Sequence, residues 1–355
     1  MSTKLQKFYM LQAIKLAKNG KYSVKSNPIV GCIIVKNNQI IGRGYHQKAG
    51  TAHAEINALN QASAKTEGAD VYISLEPCCH LGKTPACTDS LIRAKIKRVF
   101  FATKDPNSLV AGGGMRALNQ AGIETKVGIL KNKALRLNPN FSHRMKTGTP
   151  IITLKIAMSL DGKIALNNGD SQWISSKKSR DDSHKMRALS DTILTTSNTI
   201  IADNPRMNAR VKTKKKITQP TKIVIDKTGR LNYTYQFFNT DTKIIIITQN
   251  KNYLNPPTDN IHILIVADFS LKNIFKSLEC FEYNSIFIEC GPRFATALIK
   301  EKICDQLVLY LSPKILGEDS MSIFKNKITK ISDAPKLTIK KIKRIGQDIK
   351  LTLEL

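Results

Sequence analysis

The sequence predicts an α/β protein of two domains. Three observations carry this. Short apolar runs alternate with amphipathic stretches along both halves of the chain, the pattern of helices layered on a mixed sheet. The length of 355 residues fits one to three domains, and a hydrophobic content of 41% supplies packed cores. Residues 138–150 hold Pro139, Gly148 and Pro150 among polar residues, and an apolar run restarts directly after them. The expected boundary therefore divides 1–147 from 148–355.

Taken in order, residues 4–19 read as an amphipathic helix with Phe8, Leu11, Ile14 and Leu16 apolar and Gly20 just past its end. Residues 29–35 and 40–44 read as a hairpin joined by Lys36-Asn37-Asn38-Gln39. Residues 52–64 form a helix with Ile56, Leu59 and Ala62 on one stripe and His53 in its first turn. An apolar run at 71–75 is a buried strand. Pro77 and Pro85 interrupt regular structure, and a helix starts at Cys87. A strand at 98–102, a helix near 115–120 and a strand near 124–127 complete the first half. After the boundary come a strand at 151–158 and, much later, a strand at 285–289 followed by a Gly291 turn and a helix from Arg293. The Lys- and Asn-rich stretches 212–220 and 237–261 read as variable loops.

Composition narrows the function class. No apolar run approaches the roughly 20 residues of a membrane-spanning helix, and the N-terminus lacks the apolar core of a signal peptide. Seven cysteines, odd in number and unevenly spread, argue for reduced thiols in a cytoplasm. The net charge of +29, from 56 basic and 27 acidic residues, can signal nucleic acid. Here the lysines are spread widely, with clusters only at Lys214-Lys215-Lys216 and from Lys340 to Arg344, and no aromatic-rich basic motif accompanies them. Composition bias is favoured, and the charge attracts anionic, phosphorylated small molecules.

The chemistry is concentrated in one stretch: His53-Ala54-Glu55, then Pro77-Cys78-Cys79-His80, then Pro85-Ala86-Cys87. Any one of these residues alone more often only packs. Together, one His and two Cys are three ligands of a catalytic zinc site whose fourth position is left for water. Glu55, beside a ligand without being one, suits a proton shuttle. The H-x-E…P-C signature is that of zinc deaminases. Cys79 could compete as a ligand, but adjacent side chains diverge, so Cys78 is selected. A Cys in the first turn of a helix, as Cys87 is expected to be, has its thiolate stabilised by the helix dipole. Eight residues separate Cys78 from Cys87, where nucleoside and tRNA deaminases have two, and this excursion carries Gly82, Lys83 and Thr84, suited to an anion.

The run Pro77-Cys78-Cys79-His80-Leu81-Gly82-Lys83-Thr84-Pro85-Ala86-Cys87 resembles the deaminase half of the bacterial bifunctional riboflavin-biosynthesis deaminase/reductases, apart from Cys79, where that family usually has Ser. Ser26-Asn27-Pro28-Ile29-Val30-Gly31-Cys32, Gly44-Tyr45-His46 and Asp105-Pro106-Asn107 extend the resemblance. It implies a cytidine-deaminase-like first domain with substrate contacts at Asn27, His46 and Lys83. Ala111-Gly112-Gly113-Gly114 is an incomplete dinucleotide fingerprint; it is similar to a turn of the same deaminase half and is assigned to structure.

The second half is similar to the family's reductase domain over Lys155 to Lys163, Gly169 to Ile174, Arg187, Thr195 to Thr199, Ala202 to Pro205 and Ser285 to Ala297. The resemblance implies a dihydrofolate-reductase-like fold that uses NADPH. Carried over, cofactor contacts fall on Ala157, Trp173, Thr199, Asp203 and the turn Gly291-Pro292-Arg293-Phe294-Ala295-Thr296-Ala297. Read alone, Trp173 would be a core aromatic. Substrate contacts fall on Ser171, Arg187, Met207, Arg210 and Glu289, with the two guanidinium forks suited to a ribose 5-phosphate. Lys155 is placed beside the cofactor to polarise the group being reduced.

The resulting expectation is a cytoplasmic enzyme requiring Zn²⁺ and NADPH. It would deaminate a 2,5-diamino-6-(phosphoribosylamino)pyrimidinone and then reduce its ribosyl group to ribityl, with no nucleic-acid or membrane partner. A homo-oligomer is compatible with this. The charge favours one alternative, a tRNA-type deaminase with a basic accessory domain, against which the Cys78–Cys87 spacing and the second-half motifs argue. In a third reading, a zinc-stabilised RNA-binding protein, Glu55 would have no task.

Overall fold

Two compact units divide the chain, one of residues 1–149 with 213–218, the other of residues 150–212 with 219–355. The structure, a computed structural model, describes residues 2–79, 85–108, 110–325 and 328–355. Among the described residues no helix is long and apolar enough to cross a membrane.

The first unit runs α1 (Thr3–Ala17), β1 (Gly31–Lys36), β2 (Gln39–Tyr45), α2 (Ala54–Ala62), β3 (Asp70–Ile73), α3 (Cys87–Arg93), β4 (Arg98–Phe101), α4 (Gly113–Gln120), β5 (Glu124–Val127), α5 (Lys131–Leu135) and α6 (Pro139–Thr147). Its five strands lie in the order β2-β1-β3-β4-β5, antiparallel across β2, β1 and β3 and parallel from β3 to β5. The hairpin closes on Asn37 and Asn38, both at positive φ (50° and 62°), the backbone that a two-residue turn requires and that Asn adopts readily. Period-2 alternation sends Ile34, Val71, Ile73 and Val99 to one face, against α2, α3 and α4, and Ile33, Val35, Tyr72 and Phe100 to the other, against α1. Gly44 lets α2 lie directly on β2, since a Cβ there would stand 2.0 Å from the Ala54 carbonyl oxygen. That contact sets the start of α2, next to His53.

Two expectations for this half are corrected. His53 lies one residue outside the helix, as the N-cap of α2, and not in its first turn. The stretch expected to hold the domain boundary contains α6: Pro139 is its first residue, where a missing N–H costs nothing, and Gly148 ends it at φ 79°. Both residues are helix punctuation as well as loop signals.

The second unit comprises β6 (Ile151–Ser159), β7 (Lys163–Ala165), α7 (Lys177–Leu189), β8 (Thr192–Thr196), α8 (Ser197–Asp203), β9 (Thr221–Ile225), β10 (Ile244–Thr248), β11 (Ile261–Ile265), α9 (Leu271–Lys276), β12 (Ser285–Ile288), α10 (Pro292–Lys300), β13 (Gln306–Ser312), β14 (Met321–Ser322), β15 (Thr338–Ile345) and β16 (Asp348–Glu354). Nine strands form one sheet in the order β11-β10-β9-β8-β12-β6-β13-β16-β15. It is parallel from β11 to β13 and antiparallel at β16 and β15. Strands buried on both faces read as unbroken apolar runs. Ile244-Ile245-Ile246-Ile247 is such a run and forms the wholly buried β10. This corrects the reading of 237–261 as variable loop, where flanking Lys and Asn masked a short core strand.

Candidate active sites

Three separate segments of the first unit converge on one cluster. The Nδ1 of His53 lies 3.2 Å from the Cys87 sulfur and 3.6 Å from the Cys78 sulfur, and the three atoms all fall within 4.8 Å of one another. Zinc–nitrogen bonds of about 2.0–2.1 Å and zinc–sulfur bonds of about 2.3 Å give tetrahedron edges of roughly 3.5–3.8 Å. The donor set and its spacing therefore fit a zinc ion. The Cys78 thiol is held down to about 4 by its hydrogen bond with Cys87 and, against the effect of burial, by His53 and the Cys87 backbone N–H. That same sharing, with burial, pushes the Cys87 thiol far up. Both sulfurs bind a metal as thiolates, so metal binding releases the thiol protons.

Glu55 sits in the first turn of α2, 4% exposed. Burial, with a smaller contribution from Cys78, pushes its carboxyl up to about 7 against the pull of His53. A carboxyl near neutrality can both take and return a proton. Cys79 takes no part in the cluster. Its sulfur faces Gly113, where an added Cβ would lie 2.6 Å away.

The structure also brings Asn27 and His46 here. His46 stacks edge-on against His53 with ring centroids 5.2 Å apart. Its Nδ1–H donates to the Ala52 carbonyl oxygen at 3.4 Å, which leaves Nε2 to accept from the Asn27 amide at 3.2 Å. Lys83 lies outside the described residues.

Two residues of this site went unread in the sequence. Asn57, one helical turn after His53, donates to the carbonyls of Tyr45 and Ala52 and ties the His46 segment to α2. Glu76 precedes the Pro77-Cys78 turn and is 3% exposed. Its carboxylate accepts the backbone N–H groups of Asp105, Gly112 and Met115. It thereby fixes the Cys78 loop to the start of α4, an approach that Gly114 permits, since a Cβ there would lie 2.2 Å from the Pro77 carbonyl oxygen. Gly112 to Gly114 are thus structural, as expected. A Glu directly before Pro-Cys was the available signal for Glu76.

In the second unit a cleft of about 1410 Å³ collects most of the residues singled out there. Lys155, Ala157, Ser171 and Trp173 line it, with Arg187, Thr199, Asp203, Met207, Arg210 and Glu289. Gly291, Pro292, Arg293, Phe294 and Ala297 follow along its wall. Trp173 is 59% exposed, with the Arg180 guanidinium 4.2 Å from its ring centroid, which overturns the core-aromatic reading. The other two cofactor assignments in this turn lie off the cleft wall. Ala295 is fully buried in the core, and its N–H is bonded to the Gly291 carbonyl; Thr296 is absent from the cleft wall, and its hydroxyl accepts the Lys325 N–H. Helical spacing turns these two positions away from the cleft.

Arg187, on the wall of the same cleft, is engaged in an ion pair. Its Nε and Nη2 both bond the Glu289 carboxylate, and Nη1 bonds the Asn208 carbonyl. Lys155 Nζ lies 3.5 Å from the same carboxylate. Burial raises the Glu289 carboxyl, but Arg187 and Lys155 outweigh it and hold it at about 2. Arg210 keeps an exposed guanidinium, braced by the Asn208 amide oxygen.

Because Glu289 is held below its ordinary value of about 4.3, its stabilisation is present above that pH. It is lost as pH falls towards 2. Glu289→Ala leaves two largely buried cations without their counter-charge. Removing one partner of a buried pair costs about 3–5 kcal/mol, so thermal melts of this variant should drop by several degrees at pH 7 and approach the parent's in strong acid.

The matches to known proteins follow the division of the chain. A model described as cytidine and deoxycytidylate deaminase zinc-binding region matches residues 3–103, and one described as RibD C-terminal domain matches residues 150–351. The riboflavin biosynthesis protein RibD of Haemophilus influenzae is 38% identical over 97% of this chain and 96% of its own length. The chain belongs to the RibD family. The RibD of Escherichia coli is likewise 38% identical, covering 98% of both chains. The solved structure of Acinetobacter baumannii RibD superposes with a TM-score of 0.88 at 35% identity over 99% of both chains. A Thermotoga maritima deaminase/reductase does so at 0.86 and 31%, again over 99% of both. As a RibD protein, the chain is a bifunctional deaminase and reductase of riboflavin biosynthesis. It has a zinc-dependent deaminase domain of cytidine-deaminase type and an NADPH-dependent, dihydrofolate-reductase-like domain, and it acts on a small pyrimidine. The tRNA-type alternative is set aside.

Proposed function

We propose that the first site removes the amino group from the amidine carbon of a 2,5-diamino-6-(phosphoribosylamino)pyrimidinone. The second site then reduces the ribosyl group of the product to ribityl. The observation that carries this is the joint match of both halves to one Thermotoga chain, a diaminohydroxyphosphoribosylaminopyrimidine deaminase and 5-amino-6-(5-phosphoribosylamino)uracil reductase. His53, Cys78 and Cys87 would hold the zinc, which would supply a water acidified towards neutral pH. Glu55, buried beside the three ligands, is the group placed to hold and return a proton during the exchange. Asn27 and His46 orient the pyrimidine beside His53, and Lys83, outside the described residues, keeps the substrate contact that the family resemblance implies.

In the reductase cleft the backbone N–H groups at the start of α10 would receive the cofactor's phosphates, and Ala157, Trp173, Thr199 and Asp203, which line the same cleft, would hold the rest of it. Ser171, Met207, Arg210 and Glu289 hold the substrate, Arg210 taking the 5-phosphate. Arg187 keeps Glu289 ionised and in place. Lys155, ammonium-side towards the cleft, polarises the group that accepts the hydride. The cofactor supplies the hydride and the protein supplies position and charge. We place the functional boundary between 147 and 148 and the enzyme in the cytoplasm.

Mass spectrometry of the pyrimidine incubated with the protein tests the sequence of steps. An exchange of one amino group for oxygen without NADPH, then a gain of two hydrogens when NADPH is added, is the expected record. Reduction of the starting compound before any deamination would reverse the order and refute it. Single-stranded RNA should bind only weakly at 150 mM salt, with affinity falling steeply as salt rises. Deamination of a tRNA or oligonucleotide at a rate matching the small molecule would return the enzyme to nucleic acid.

A further inference from the structure

Trp173 is the only tryptophan in the chain, and it stands on the connection between β7 and α7, residues 166–176. An indole 59% exposed on such a connection has rotamer freedom to lose when a ligand lies on it. This one is held from two sides. The Arg180 guanidinium lies over one face, 4.2 Å from the ring centroid. Its Nη1 donates to the Ser175 carbonyl at 2.7 Å, so one planar group grips both the ring and the backbone two residues beyond it. Lys314 Nζ donates to the Trp173 carbonyl, also at 2.7 Å.

Both cations are fixed to the body of the second unit. Arg180 stands near the start of α7, whose N-cap Ser176 gives its backbone N–H to the Asp348 carboxylate at 2.7 Å and accepts the Ser179 N–H. Lys314 follows β13, and its carbonyl accepts the N–H of Leu160, just past β6, at 2.8 Å. Asp161 accepts the N–H groups of Leu316 and Gly317 and ties the same segment down. By contrast, the N–H groups of Gly169, Asp170 and Gln172 bond acceptors inside the connection. Among the described residues no carboxylate lies within ion-pair distance of Arg180, and its neighbour Asp181 pairs with Lys177. The guanidinium is therefore left to the electron-rich face of the indole. Arg180 and Trp173 both line the cleft, and the ring face away from the guanidinium is open to a flat ligand.

We propose that Arg180, with Lys314, is a positioning residue of the reductase: it backs the Trp173 indole and so presets the platform on which a ring of the dinucleotide lies. This rests on the reading that Trp173 touches the cofactor. A platform fixed beforehand lowers the ordering cost of binding, so the effect belongs to NADPH affinity. Sequence reading gave Arg180 and Lys314 no role.

Because the tryptophan is single, tryptophan fluorescence of the full-length protein reads this ring alone, and calorimetric titration with NADPH reads the affinity. Arg180→Gln should lower the anisotropy of the indole, raise its quenching by acrylamide and weaken NADPH about 2–5-fold, the value of one exposed cation–π contact. In steady-state assays the loss should fall on KM for NADPH and not on kcat. Trp173→Leu should weaken NADPH further. Arg180→Gln added to Trp173→Leu should then cost almost nothing more, because the guanidinium acts through the ring. Arg180→Lys, which keeps the charge and loses the flat fork, should restore part of the affinity and part of the anisotropy. Unaltered anisotropy and NADPH affinity in Arg180→Gln would overturn the proposal. So would an equal loss from Arg180→Gln with and without Trp173, or full affinity in Arg180→Lys at the anisotropy of Arg180→Gln, either of which makes Arg180 a direct charge contact. These results leave the cofactor reading of Trp173 intact. A Trp173→Leu protein that binds NADPH like the parent would remove that reading and the proposal together.

Discussion

Glu55→Gln should keep one zinc per chain and lose deamination by about 10²–10⁴-fold, the usual value of a positioned general acid–base. The expectation starts from position. The three ligand atoms come from His53, Cys78 and Cys87, and the Glu55 carboxyl is not among them. It is buried beside them, with its carboxyl raised to about 7, chiefly by burial. Gln fills the same space without a transferable proton, so metal content and fold should hold while the chemistry fails. Reduction of the already deaminated compound should be unchanged, because Glu55 belongs to the first unit only. Metal analysis beside the two separate assays reads all three quantities. Loss of zinc from Glu55→Gln would make it a ligand and end its role as shuttle. Cys78→Ala should release the zinc, and Cys79 should not replace it, because its sulfur is turned to Gly113.

What the sequence made legible was local. Zinc ligands must be His and Cys whatever the fold, so the chemistry of His53, Cys78 and Cys87 stands in the one-letter string. The Asn37-Asn38 turn and the apolar face of α1 are likewise short-range. Contacts closed by distant segments were not legible. Glu289 takes up the fork of Arg187 across 102 residues, so a side chain read as phosphate-binding is half of an ion pair. Glu76 gathers N–H groups 29 to 39 residues ahead of it. Ala295 was included because the glycine turn was carried over as a block, while the helix that begins there turns every few residues inward.

Cutting the chain between residues 147 and 148 should leave each piece with one activity and without the other. Each unit has core clusters of its own among the described residues: Cys32, Ile34, Val71 and Phe101, and Met10, Ile33 and Tyr72, belong to the first, while Leu154, Ile223 and Ile288, and Ile193, Val224 and Ile246, belong to the second. Each unit is within the usual 50–250 residues of a domain. The cut does remove 213–218 from the unit it belongs to. The first fragment loses the bonds from the Thr218 N–H to the Tyr22 carbonyl, from the Thr218 hydroxyl to Ser23, and from Lys215 to Lys18 and Asn19. Intramolecular hydrogen bonds are worth about 0.5–1.5 kcal/mol each in net terms, so fragment 1–147 should melt earlier than the intact unit yet still fold, bind zinc and deaminate. Fragment 148–355 should bind NADPH and reduce the deaminated compound but not the starting one. Circular dichroism melts separate a folding failure from a catalytic one. Two folded fragments that are both inactive would mean that the sites share residues across residue 147, and the boundary would have to move.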